Sequence, residues 1–249
     1  MSEFKDKVVV ITGGSSGIGL ETAKLFHKEG AQVVIMSRTA EALDKAAAEI
    51  GSNVMALKVD VASVYDLEQA AATIKEVYGR VDVLFSSAGI APMLPFEMVS
   101  EEIFDAVVNA NFKGAFFTVQ KISPLMPEGS SIILTSSTVA STGVPNFSVY
   151  SASKAAVRSL GRTLTSDLAS KKIRVNTISP GPIETPMLDK TGLTKEQMNG
   201  FKEMAVTQTP VGRFGYPTDI AEAVMFFASE KSSFITGVEL TVDGGRTQI

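Results

Sequence analysis

Residues 8–26 read VVVITGGSSGIGLETAKLF, and this stretch decides the fold. Val8–Ile11 form an uninterrupted aliphatic run, the pattern of a strand buried on both faces. It gives way to Thr12-Gly13-Gly14-Ser15-Ser16-Gly17-Ile18-Gly19 and then to an amphipathic stretch that predicts a helix. Glycines let the backbone turn tightly and come close to a ligand, and the free N–H groups at a helix N-terminus attract an anion. The spacing is G-x-x-x-G-x-G rather than the commoner G-x-G-x-x-G. Its placement, with a strand before and a helix after, therefore carries the reading of a phosphate seat.

The alternation continues outward. Aliphatic and β-branched runs at 7–12, 32–37, 53–61, 81–87, 130–137, 173–179 and 237–243 predict strands. Amphipathic stretches at about 17–29, 39–50, 64–78, 100–126, 149–170 and 217–229 predict helices, and Gly30 and Gly51 stand where helix C-terminal glycines belong. This order predicts an α/β fold: a doubly wound, seven-stranded parallel sheet with helices on both faces. No linker, repeat or low-complexity tract divides residues 1–249, so one domain is expected. The least periodic segment is about 180–216, and within it 185–215 is expected to serve as a substrate lid.

The 249 residues are 45% hydrophobic and 20% charged, enough for a core and without a sign of disorder. A net charge of −4 argues against nucleic acid as a partner. Cysteine is absent, and the single histidine, His27, is expected at the surface. Thiolate and multi-histidine metal centres are thereby excluded, and no metal site is expected. The N-terminus lacks the pattern of a signal peptide, and no apolar run approaches the roughly 20 residues that cross a bilayer. A cytoplasmic protein without a membrane partner is expected.

The second predicted strand ends in Ser37-Arg38-Thr39. An acidic residue there would bind the ribose hydroxyls of NAD and repel a 2′-phosphate, whereas a guanidinium pairs with that phosphate. Arg38 thus points to NADP(H), although a solvent-facing residue at a helix start would look the same. Asp60, ending the third strand, is placed to meet an adenine or to cap the next helix. Further along, Tyr150 and Lys154 in YSASK share one helix face, which a solvated surface also produces.

Taken together, these motifs resemble the classical short-chain dehydrogenase/reductases. T-G-x-x-x-G-I-G at 12–19, Asp60, Asn111 in NANFKG, Ser137, Y-x-x-x-K at 150–154, P-G at 180–181 and VDGG at 242–245 follow in the family's order and span nearly the whole chain. ILTSS, KAAVRSL and DGGRTQI are similar to the bacterial NADPH-dependent alcohol dehydrogenases and ketoreductases. The resemblance implies a Rossmann domain assembled as a homotetramer, with Ser137, Tyr150 and Lys154 as the catalytic set and Asn111 completing a water-linked proton relay. It places Gly13, Ser15, Ser16, Gly17, Ile18 and Gly19 at the pyrophosphate, Arg38 at the 2′-phosphate, and Asp60 with Val61 at the adenine. Ala88 and Gly89 would line the cofactor cleft, with Tyr150 and Lys154 also reaching the cofactor. Pro180, Gly181, Ile183 and Thr185 would hold the nicotinamide. One departure is SSAG at 86–89 in place of the usual NNAG, which removes side-chain amides expected to brace the sheet.

Such an enzyme moves a hydride to a ketone carbon and a proton to its oxygen. A lysine ammonium about 4 Å from a phenol, at an effective dielectric near 20, would favour phenolate by roughly 4 kcal/mol. That is about three pKa units, so Lys154 is expected to lower the pKa of Tyr150. Ser137 would bond the substrate oxygen. Val139, Val144, Phe147, Met187, Leu188, Phe201 and Met204 are the candidate walls of a pocket for a hydrophobic ketone or secondary alcohol. A 3-oxoacyl-carrier-protein reductase is the alternative, and Arg158, Arg162 and Lys171 would have to dock its acidic carrier.

Overall fold

The computed structural model describes residues 3–249. Strand β1 (Val8–Thr12) is fully buried and pairs in parallel with β2 (Gln32–Ser37) on one side and β4 (Val83–Ser86) on the other. With β3 (Met55–Lys58), β5 (Ser131–Thr135), β6 (Arg174–Pro180) and β7 (Glu239–Val242), the sheet has the order β3-β2-β1-β4-β5-β6-β7, and every pair is parallel. Alternate side chains of β1 enter two different cores. Val8 and Val10 join the layer containing Leu67, Val119 and Val157, while Val9 and Ile11 join the layer containing Phe26, Val224 and Phe227. Two buried faces explain why the strand reads as an unbroken aliphatic run.

The first helices are α1 (Gly17–Lys28), α2 (Ala40–Ile50) and α3 (Val64–Tyr78), followed by α4 (Glu101–Val108) and α5 (Gly114–Ile122). The later ones are α6 (Ser148–Asp167), α7 (Lys195–Thr207) and α8 (Pro217–Ala228). His27 is half-buried, and its Nε2 lies 2.8 Å from the Ser52 carbonyl oxygen, fastening the end of α1 to the turn before β3.

Three expectations are corrected. The helix expected over 100–126 is interrupted by a π-turn at Asn109–Lys113, between α4 and α5. The stretch 180–216 contains the 13-residue helix α7, started by a reciprocal cap in which Thr194 and Gln197 each bond the other's backbone N–H. The third strand is also shorter than expected. β3 is an edge strand paired only with β2, and beyond Lys58 the chain bends so that Asp60 N–H reaches Asp66 Oδ2 at 3.0 Å.

Candidate active site

Strand order reverses between β1 and β4, which opens a crevice beyond their carboxyl ends. The glycine turn lies at its floor. Gly13 (φ 71°) and Gly17 (φ 53°) take the left-handed conformation that glycine adopts without strain. A Cβ at Gly13 would lie 3.0 Å from Ala88 Cα, and one at Gly17 would lie 3.2 Å from Thr185 Cγ2. The turn is therefore pressed between the β4 extension and the segment after β6. Gly19 packs on the Gly13 carbonyl, and Ile18 is half-buried. Ser15 Oγ donates to Ser37 Oγ at 2.9 Å. Ser16 precedes α1 with extended backbone, yet its side chain bonds no helix N–H, and the first turn of α1 holds no acidic residue. A seat with neither its own cap nor its own anion fits the pyrophosphate of a dinucleotide.

Beyond the ends of β2 and β3, Arg38 and Asp60 line an open cleft of about 530 Å³ with Lys58 and Asp66. Asp60 does not cap the next helix: Ser63 does, through Asp66 N–H. Asp60 Oδ1 instead accepts Ala62 N–H at 3.0 Å and shapes the turn. Val61 is buried against Gly114.

The second cluster comes from β5, the π-turn and α6. Ser137 and Tyr150 are hydrogen-bonded through their hydroxyls. Lys154 is buried, its Nζ donates to the Thr135 carbonyl at 2.8 Å, and it lies 5.8 Å from the Tyr150 ring centroid. Asn111 is also buried. Its Oδ1 accepts Ile90 N–H at 2.8 Å, and its Nδ2 donates to Ile90 O and Ser153 Oγ, both at 3.0 Å. Ser153 Oγ donates in turn to the Tyr150 carbonyl at 2.7 Å. A Cβ at Gly89 would lie 3.0 Å from Asn111 Oδ1 and 3.5 Å from Lys154 Nζ. Adjacent residues, Ala88 and Gly89, thus join the glycine turn to the lysine.

The electrostatics differ from the expectation. Burial pushes the Tyr150 phenol above its ordinary pKa, and the bond to Ser137 opposes this only in part. Burial also pulls Lys154 down to about 8. In the bare chain the lysine does not lower the pKa of the tyrosine.

A family model described as enoyl-(acyl carrier protein) reductase, of the adh_short_C2 type, matches residues 13–247. The chain is 40% identical over 249 residues to the 3-oxoacyl-(acyl-carrier-protein) reductase of Thermotoga maritima, covering 97% of this chain and 98% of that one. It is 37% identical over 251 residues to the NADP-dependent (R)-specific alcohol dehydrogenase of Lentilactobacillus kefiri, covering 98% of each. A Brucella melitensis structure described as a short-chain dehydrogenase/reductase, glucose/ribitol dehydrogenase, superimposes with a TM-score of 0.92 at 36% identity over 98% of each chain. The 3-ketoacyl-(acyl-carrier-protein) reductase of the same organism, solved with NADH, gives 0.89 at 34% identity, covering 98% of this chain and 99% of that one.

The chain belongs to the short-chain dehydrogenase/reductase family.

It is thus an oxidoreductase of a family that works with a nicotinamide cofactor. Within this short-chain dehydrogenase/reductase, the segment carrying Pro180, Gly181, Ile183 and Thr185 crosses from β6 to the glycine turn. Gly181 N–H donates to Val242 O at 3.0 Å and the residue packs on buried Asp243, while Ile183 is buried in the core. In the SSAG segment the β4 extension is held by Thr12, whose Oγ1 accepts the N–H groups of Ser87 and Ala88, each at 3.1 Å. Thr12 was legible only as part of the glycine motif.

The substrate side is less assembled. Phe147 packs at a tilt against Tyr150 with ring centroids 5.4 Å apart. The space they share with Leu94, Val99 and Ile103 is about 10 Å³, too small for a ligand. Val139, Val144 and Leu188 are half-buried, but Met187 and Met204 are exposed. Phe201 packs edge-on against Phe214 at 6.2 Å. Residues not anticipated close the mouth instead: Met93 N–H donates to Thr191 O at 3.1 Å and Leu94 N–H to Asn146 O at 2.9 Å.

Proposed function

We propose that this chain is an NADP(H)-dependent alcohol dehydrogenase/ketoreductase that interconverts a hydrophobic ketone and its secondary alcohol. The observation that carries the reading is the Ser137–Tyr150 hydroxyl pair beside buried Lys154, linked through Gly89 and Ala88 to the glycine turn. Gly13, Ser15, Ser16, Gly17, Ile18 and Gly19 hold the pyrophosphate, Asp60 and Val61 flank the adenine, and Pro180, Gly181, Ile183 and Thr185 hold the nicotinamide. When bound, the nicotinamide supplies or accepts the hydride.

Ser137 donates a hydrogen bond to the substrate oxygen, and Tyr150 gives or takes its proton. A phenol held above its ordinary pKa stays protonated through the neutral range, which suits reduction. Lys154 reloads that proton and braces the cofactor, while Asn111 holds the π-turn through which a water-linked relay reaches solvent. The aliphatic and aromatic side chains Val139, Val144 and Phe147, with Met187 and Met204 brought in as residues 185–215 close, form the substrate wall.

NADP(H) is supported by Ser37-Arg38-Thr39, which places no carboxylate at the ribose, and by Arg38, which makes no ion pair among the described residues. The relative from Lentilactobacillus kefiri, described as NADP-dependent, supports it as well. The alternative reading, a 3-oxoacyl-(acyl-carrier-protein) reductase, draws on the Thermotoga maritima relative. Against it, Arg158 is ion-paired with Glu239 and so is not free to dock an acidic carrier. A cytoplasmic homotetramer completes the proposal. The exposed aromatic side chains Phe104, Phe116, Phe226 and Phe234 support self-association. Among the described residues no helix is long and apolar enough to cross a membrane.

The test is a panel of aryl and alkyl ketones assayed with NADPH and NADH, alongside a 3-oxoacyl thioester on its carrier. Turnover of simple ketones with NADPH is expected. Activity confined to the carrier-bound thioester, or to NADH, would overturn the assignment.

A further inference from the structure

We infer that Lys58, the last residue of β3, is a second cation of the 2′-phosphate seat and sets how strictly the chain prefers NADP(H). This rests on the cofactor reading above. A phosphate monoester carries about −1.5 to −2 charges near neutral pH, more than one guanidinium balances. The β2–β3 register sets Lys58 opposite Ser37, the residue before Arg38, and Val59 N–H bonds Ser37 O at 2.9 Å. Two strand ends therefore deliver Arg38 and Lys58 to the same open cleft.

Both cations are exposed, and neither forms an ion pair among the described residues. The cleft's carboxylates are engaged elsewhere. Asp60 Oδ1 accepts Ala62 N–H, Asp66 Oδ2 accepts Asp60 N–H at 3.0 Å, and Asp66 Oδ1 accepts the Ser63 hydroxyl at 2.9 Å. Those bonds hold the Asp66 carboxyl below its ordinary range, with the Lys58 charge adding a smaller contribution from beyond contact distance. The corner thus offers two cations free to turn towards an incoming dianion, while its two anions are tied to the α3 turn. An edge strand also gains from a lysine that discourages pairing with other chains. That role predicts a change in aggregation and none in cofactor choice.

The experiment is fluorescence titration of the full chain with NADPH and with NADH, for wild type, Lys58→Gln, Lys58→Arg and Arg38→Ala. Lys58→Gln is expected to raise the Kd for NADPH by about tenfold, to leave NADH within about twofold, and to flatten the salt dependence for NADPH. Lys58→Arg should restore most of the loss. Equal effects on both cofactors, or no effect, would overturn the role of Lys58. If Arg38→Ala abolishes a preference that Lys58→Gln leaves intact, only the Lys58 inference falls. If wild type binds NADPH no more tightly than NADH, the cofactor reading falls and Lys58 with it.

Discussion

Replacing Lys154 with Met should remove a specific pH dependence from the stability of the fold. Burial pulls this lysine from an ordinary 10.5 to about 8, so the folded chain releases the proton before the unfolded chain does. Below pH 8 the charge is present in both states and the folded state bears its desolvation. A gap of about 2.5 pH units corresponds to about 3 kcal/mol. As pH rises from 8 towards 10.5 the unfolded chain binds more protons than the folded one, so stability increases and the cost is relieved. Between pH 7.5 and 9.5 the wild type should gain about 2 kcal/mol relative to Lys154→Met. The variant also loses the bond from Nζ to the Thr135 carbonyl, an offset of about 1–3 kcal/mol that does not titrate. Tyr150, pushed upward by its surroundings, stays neutral in both proteins over this window. Urea unfolding of the cofactor-free proteins at pH 7.5, 8.5 and 9.5, at one chain concentration, measures the difference. A difference that is flat across the three pH values, or that moves in favour of the variant as pH rises, refutes the assignment of a buried, depressed lysine.

Three further outcomes are expected. Tyr150→Phe should lower turnover by roughly a thousandfold, with NADPH binding by fluorescence kept within about twofold; retained turnover would remove Tyr150 from proton transfer. Arg38→Asp should lower the NADPH/NADH ratio of kcat/KM by about two orders of magnitude, and an unchanged ratio would contradict the 2′-phosphate assignment. Asn111→Leu leaves Ile90 N–H and C=O without their side-chain partner. It should cost about 3 kcal/mol or more, seen as a Tm lower by roughly 5–10 °C; an unaltered Tm would mean that the amide does not hold the π-turn.

The sheet was legible because its strands are buried on both faces and so carry long aliphatic runs. The edge strand β3 was overextended for the same reason: Val59 and Val61 are buried after the chain has left the sheet. The π-turn was hidden, since one extra residue per turn barely disturbs hydrophobic periodicity. A signal existed nonetheless. Asn111 falls on the buried stripe of Val107, Ala115 and Val119, where a polar side chain requires partners. Helix α7 was missed because Asn199 and Gly200 interrupt it and few of its residues are buried, although the Thr194–Gln197 spacing announced its start. The YSASK pair illustrates a different limit. Spacing put Tyr150 and Lys154 on one helix face, but the sign of each pKa change depends on burial, which spacing does not report.

In the lid reading, the seats for cofactor and substrate share a mechanical connection. Pro182 and Glu184 clamp Gly215 from both sides, with Gly215 N–H to Pro182 O at 2.9 Å and Glu184 N–H to Gly215 O at 2.9 Å, so the excursion leaves and returns through one narrow neck. Immediately beyond the neck, Thr185 lies where a side chain at Gly17 of the glycine turn would meet it. Farther out, Lys202 pairs with Glu184, and Thr191 O accepts the Met93 N–H at the mouth of the site. A dinucleotide seated against Gly17 would fix Thr185, and with it the first residues of the excursion. Ordering the rest then requires less loss of backbone entropy than ordering it from a free neck, at about 1–2 kcal/mol for each residue already fixed. If residues 185–215 contribute the substrate wall, cofactor binding ahead of substrate is the expected order, because that wall would be anchored on the part of the chain that a cofactor against Gly17 would immobilise.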